Sequence, residues 1–133
     1  MSGADRPRDR LGRPLAAGDD EAYPSLNLPA DISDEQCWLL ACELLDTGLP
    51  FHAHEACEHA WRRTQTLSSR ALWQGLAQWC AARTHEARGN VTGARAVADR
   101  ASVTLSGVDE PPPWIDLADV ESDCRRLMQL DGT

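Results

Sequence analysis

Five stretches of helical periodicity, each with its own start and stop signals, constrain this chain more than any other feature. Ser33 with Gln36 three residues on is a capping-box pair. Behind it Trp38, Leu39, Cys42 and Leu45 recur at helical spacing. Gly48 stops that segment and Pro50 opens the next, which runs to about Thr64. Ser68 or Ser69 caps a third segment, from about Arg70 to Arg88, and Gly89 closes it. Asn90 is placed to cap a fourth, to about Leu105. Gly107 and Pro111-Pro112-Pro113 form a stiff connector, and Asp116 caps a last segment carrying Leu117, Val120, Cys124 and Leu127. No stretch alternates with the period of a strand, and no repeat has a solenoid period. The expected fold is all-α: a compact bundle of about five helices with short connections, so that neighbours run antiparallel.

The bundle domain is expected over residues 31–133, preceded by an arm over residues 1–30. In the arm Arg6, Arg8, Arg10 and Arg13 alternate with Pro, Gly and Asp before Asp19-Asp20-Glu21 reverses the sign. Pro24 and Pro29 break any periodicity. Such a stretch buries little apolar surface and reads as extended or poorly ordered. Docking of its short part through Tyr23, Leu26 and Leu28 is left open.

Charge narrows the function classes. The chain of 133 residues carries 13 basic and 21 acidic side chains, for a formal charge of −8. That balance argues against nucleic acid, whose binders present a basic face, and against an anionic membrane surface. No apolar run approaches the ~20 residues that span a bilayer, and the polar N-terminus reads as carrying no signal peptide. A cytoplasmic protein is expected. Every base is arginine, which together with abundant Ala suggests a GC-rich bacterial genome. The five cysteines are odd in number and form no C-x-x-C pair, which argues against a disulfide framework or a zinc ribbon and for small core residues. The five Trp are expected in core and interface packing; an exposed patch of Trp38, Trp73, Trp79 or Trp114 would suggest a homo-oligomer, a homodimer in the simplest case.

The chemistry-bearing text is Phe51-His52-Ala53-His54-Glu55-Ala56-Cys57-Glu58-His59-Ala60-Trp61, which holds three of the four histidines. On a helical wheel Ala53, Ala56, Cys57, Ala60 and Trp61 define the apolar arc, with His54 at its border and Glu58 one turn along. A His/Glu pair at i, i+4 can meet at one metal ion or share one hydrogen bond. This is not the H-E-x-x-H metalloprotease motif, because position 58 is Glu and His59 lies about 140° from His54. His52 and His59 project away from the apolar arc and are expected at the surface. On the third segment Gln74, Gln78, Ala81 and His85 form a polar stripe. Facing solvent, it means little. Facing the second segment, it brings His85 and Gln78 towards His54 and Glu58. His54, Glu58 and His85 would then be ligands for zinc, manganese or iron, with Glu55 as the catalytic base.

Phe51-x-x-His54-Glu55-x-x-Glu58-x-x-Trp61, then Leu72-x-x-Gly75-Leu76-x-Gln78, His85 and Gly89-Asn90-x-x-Gly93-Ala94, resembles domain-of-unknown-function family 309 of bacteria and archaea across about residues 34–105. The prefix Arg6-Pro7-Arg8-Asp9 with Leu11-Gly12-Arg13-Pro14-Leu15 is similar to the arm of actinobacterial members. The resemblance implies a small all-helical bundle, sometimes labelled a metal-dependent hydrolase. It marks Phe51, His54, Glu55, Glu58, Trp61, Gln78, His85, Gly89, Asn90 and Gly93 as signature positions. The chain departs from the family at Cys57 and Cys80, where larger aliphatic residues are typical, and at Thr84, which is often apolar. Two readings therefore stand. One is a metal-dependent hydrolase-like site of His54, Glu58, His85 and Glu55, with Gln78, Gln74, Trp61, Phe51 and Asn90 around it. The other is a non-catalytic structural or protein-interaction module in which the same residues form a buried polar network.

Overall fold

The computed structural model describes residues 8–14, 23 and 25–132. It contains five helices in chain order: α1 (Asp34–Asp46), α2 (Pro50–Arg62), α3 (Leu67–Ala87), α4 (Val91–Leu105) and α5 (Leu117–Met128). No strand occurs among the described residues. Four of the expected starts are made by local chemistry. Ser33 Oγ accepts from Gln36 N at 3.1 Å while Gln36 Oε1 accepts from Ser33 N at 2.9 Å, the reciprocal box read in the sequence. Pro50 occupies the first turn of α2, where its missing N–H costs nothing. Asn90 and Asp116 cap α4 and α5. The exception is α3. Its cap is Thr66, whose hydroxyl accepts from Ser69 N at 3.1 Å, so the helix starts before Ser68 and Ser69.

Consecutive helices pack on one another, and α3 also meets α5. The Trp61 ring at the end of α2 carries the Arg70 guanidinium from the start of α3. Phe51 at the start of α2 shares a cavity with Arg88 beyond the end of α3. The two helices are therefore antiparallel. The core is built largely from small residues: Ala53, Ala56, Cys57 and Ala60 of α2, Ala82 and Cys80 of α3, and Ala94, Ala98 and Ala101 of α4 are fully buried. Small residues let the helix axes approach closely. All five thiols are free, and four are buried. Cys57 lies 3.9 Å from Cys80; the hydrogen bond between the two thiols, together with burial, pushes the Cys57 thiol well up, so it is no nucleophile. No helix among the described residues is long and apolar enough to cross a membrane.

Part of the arm is described. Residues 8–14 form a tight loop docked on the bundle, while the other arm residues, 1–7, 15–22 and 24, lie outside the described ones. The Asp9 carboxylate accepts from Leu11 N and Arg13 N, both at 2.9 Å, a local bond pattern that turns the chain. Arg88 donates two bonds to Leu11 O, at 3.0 and 2.7 Å. Gly12 lies flat on the Phe51 ring with φ +79°, and a Cβ there would overlap that ring. Gly12→Ala combines this overlap with a left-handed backbone that costs a non-glycine residue about 1–2 kcal/mol. Amide exchange in the loop is expected to rise at least about tenfold while the helices keep their protection. Unchanged protection of Leu11 and Arg13 would contradict this docking.

Candidate functional site

The first turns of α2 and the last turns of α3 bring His54 from one stripe and Ala81 with His85 from the other towards each other. Between them is a cavity of about 130 Å³ lined by Phe51, His54, Ala81, Thr84, His85 and Arg88. Ala81 leaves room for it. Thr84 turns its hydroxyl back onto Cys80 O at 2.8 Å and presents little polarity. Phe51 and Arg88 also hold the 8–14 loop, so that loop is seated on two of the cavity's walls.

His54 and His85 thus share one cavity, but their partners lie elsewhere. His54 Nε2 is 3.7 Å from Glu58 Oε2, and Glu58 Oε1 accepts from Arg62 Nη2 at 2.6 Å. His85 Nδ1 meets Asn90 Nδ2 at 3.2 Å, and Asn90 Oδ1 caps α4 by accepting from Gly93 N at 2.9 Å. Because the amide nitrogen can only donate, His85 Nδ1 is the acceptor of this pair. A Cβ at Gly93 would fall 2.9 Å from His85 Nδ1, so that glycine makes room for the histidine–cap contact. Burial lowers the affinity of His54 for a proton, outweighing the carboxylates of Glu58 and Glu55, and burial beside the Arg88 charge does the same at His85. Both rings are held towards the neutral form.

Among the described residues no group of three His, Cys, Asp or Glu side chains is placed to hold a metal ion. His54, Glu58 and His85 do not make such a set. Glu58 is divided between His54 and Arg62, and His85 is held by Asn90. The donors present do not fit the three-ligand centre the spacing suggested. Glu55 does not line the cavity. Its Oε1 is buried without a hydrogen-bond partner, as are Gln78 Oε1, His59 Nε2 and Trp61 Nε1. Gln74 is exposed.

Two histidines differ from their wheel positions. His52 is 4% exposed, between the rings of Tyr23 and Phe51 at 6.2 and 5.8 Å. His59 is half-buried. Sequence reasoning named Leu11 and Gly12 only as part of the arm and Arg88 only as a helix end, and placed none of them at this site. The one available signal was a glycine between Leu11 and Arg13 in the arm, too weak without knowledge of the surface it meets.

The chain matches DUF309, a domain of unknown function, over residues 38–97. That span runs from Trp38 in α1 to Val97 in α4 and includes His54, Glu58, His85, Asn90 and Gly93. No curated protein and no solved structure matches the chain.

Proposed function

Given that residues 38–97 are a DUF309 domain, we propose that the chain is a non-catalytic helical binding module, and that its histidine–carboxylate signature is structural, ordering the surface of α2 and tying the end of α3 to the start of α4. The observation that carries this reading is that the signature residues take separate partners: Glu58 accepts from Arg62 at 2.6 Å with His54 at 3.7 Å, all within α2, and His85 meets the Asn90 cap of α4 at 3.2 Å. Catalysis would need the same groups to point together at one substrate atom.

A metal-dependent hydrolase is the second reading. It is favoured by the buried, unpartnered Glu55 Oε1 and Gln78 Oε1, which could accept from a water or a substrate. Elemental analysis separates the two. Protein purified without chelators, then offered zinc, manganese or iron, is expected to retain well below one equivalent. His54→Gln is expected to leave that content unchanged and to change stability by less than about 1 kcal/mol, because the 3.7 Å contact with Glu58 is longer than a hydrogen bond. One equivalent of metal in the native protein, lost in His54→Ala, would overturn the module and establish the metal centre.

A further inference from the structure

A second, larger cavity of about 510 Å³ lies between α1, α3 and α5. Its α3 residues, Trp79 and Arg83, project about half a turn away from Ala81 and His85, so it opens on the opposite side of α3 from the histidine cavity. Three indoles line it, from Trp38, Trp79 and Trp114. The Trp38 and Trp79 rings are 6.0 Å apart with their planes 36° from parallel. Trp79 is pinned by the bond from its Nε1 to Asp123 Oδ2 at 2.8 Å. Indole faces are the best protein surfaces for holding a cation.

The charge around these rings is not balanced. Arg83 and Arg126 both reach the cavity, but each is already taken. Arg83 contacts Asp123 at 3.2 Å and Glu86 at 3.7 Å. Arg126 holds Glu86 at 2.6 Å and Asp123 at 2.7 Å. Two arginines thus offset two acids. Asp46, Asp116 and Asp119 also line the cavity, and among the described residues no arginine makes an ion pair with any of them. Asp116 and Asp119 have a local reason to be there, since they start α5 and Asp116 caps Asp119 N at 3.1 Å. Asp46 has none. It is the last residue of α1, at the negative end of the helix dipole, and α1 has no base in its last turn. A carboxylate there is unfavourable in the isolated chain, and a bound cation would relieve it.

We propose that this cavity is a binding site for a small organic cation, an ammonium on a flat apolar body, with the indoles taking the body and Asp46 with Asp119 taking the charge. The volume lies in the range of small-molecule sites, roughly 300–1,000 Å³. The site is separate from the α2–α3 cluster and stands whether that cluster is structural or catalytic.

Calorimetric titration of the full chain tests it with three probes of one shape: phenethylammonium, 2-phenylethanol and phenylacetate. Phenethylammonium is expected to bind at one equivalent and to perturb tryptophan fluorescence. The neutral alcohol is expected at least about tenfold weaker and the anion weaker still. Asp46→Asn, an isosteric change at an exposed helix end, is expected to weaken phenethylammonium severalfold with the unfolding midpoint unchanged or raised. His54→Gln is expected to leave binding as it was. Equal binding of the alcohol and the ammonium, no binding of phenethylammonium, or wild-type affinity in both Asp46→Asn and Asp119→Asn would overturn the proposal. So would sedimentation as a dimer in which the probe no longer reaches Trp114.

Discussion

Trp73→Ala is expected to remove about 3–5 kcal/mol of stability, the range for truncating a buried large aromatic. The reason is the composition of this core. Trp73 is 1% exposed and heads the largest fully buried side chains, followed by Leu76, Leu105 and Leu127. Most of the other fully buried positions are Ala or Cys. Such neighbours are already at closest approach and have few atoms with which to fill a void, so the cavity left by the indole stays open. Trp73 also stacks on Trp114, with ring centroids 6.4 Å apart, and links α3 to the connector that delivers α5. A domain of this size is stable by about 5–15 kcal/mol, so the loss is a large part of the total. Urea unfolding followed by circular dichroism measures it. Trp73→Phe, which keeps a ring, is the companion variant if the alanine protein does not fold, and is expected to lose about half as much. A loss below about 1 kcal/mol in the alanine protein would mean that the core is centred elsewhere.

How much of this was legible in the sequence follows from how local each determinant is. Ser33 and Gln36 bond to each other, so the start of α1 could be read from four residues. The start of α3 could not. Thr66, Ser68 and Ser69 all offer hydroxyls, and the choice of Thr66 leaves Leu67 88% exposed, which runs against a reading led by hydrophobicity. His52 sits on the polar side of its own helical wheel and is buried because Tyr23 and Phe51 cover it. A wheel ranks residues only against their own helix. Whether the α3 stripe meets α2 or solvent was left open by the sequence, and the structure divides it: His85 shares a cavity with His54, while Gln74 is exposed. The pairing of the supposed ligands was not legible, because partner choice is settled by distances of an ångström or two. Arg62 reaches Glu58 at 2.6 Å, and Asn90 reaches His85 at 3.2 Å. Spacing offered His54, Glu58 and His85 as one possible set and could not rank them against other partners.

Asp123 had no signal in the sequence at all, being 44 residues from Trp79, yet it ties α3 to α5. One carboxylate accepts from Trp79 Nε1 at 2.8 Å, Arg83 at 3.2 Å and Arg126 at 2.7 Å. Removing it leaves a part-buried indole N–H without an acceptor and two arginines short of a counter-charge. Asp123→Ala is expected to cost about 2–3 kcal/mol, the worth of charged hydrogen bonds plus the penalty of the stranded donor. Asp123→Asn, which keeps an oxygen for Trp79, is expected to cost about 1 kcal/mol. The pH dependence distinguishes this hub from ordinary packing. Burial alone would raise the Asp123 carboxyl, but the bonds from Arg126 and Trp79 and the arginine charges outweigh it and hold it below its usual value. A depressed carboxylate contributes stability that is complete above the unfolded value of about 3.9 and is lost as pH falls through the folded value. The depressed imidazoles of His54 and His85 act in a higher window. There the unfolded chain takes up protons first, so stability declines as pH falls from about 6.5. Asp123→Asn keeps both histidines. Its stability curve is therefore expected to run below and parallel to the wild type from pH 7 to about 4, and to converge with it only at lower pH. Convergence already between pH 7 and 5, or none below 4, would show that the Asp123 charge is not what joins α3 to α5.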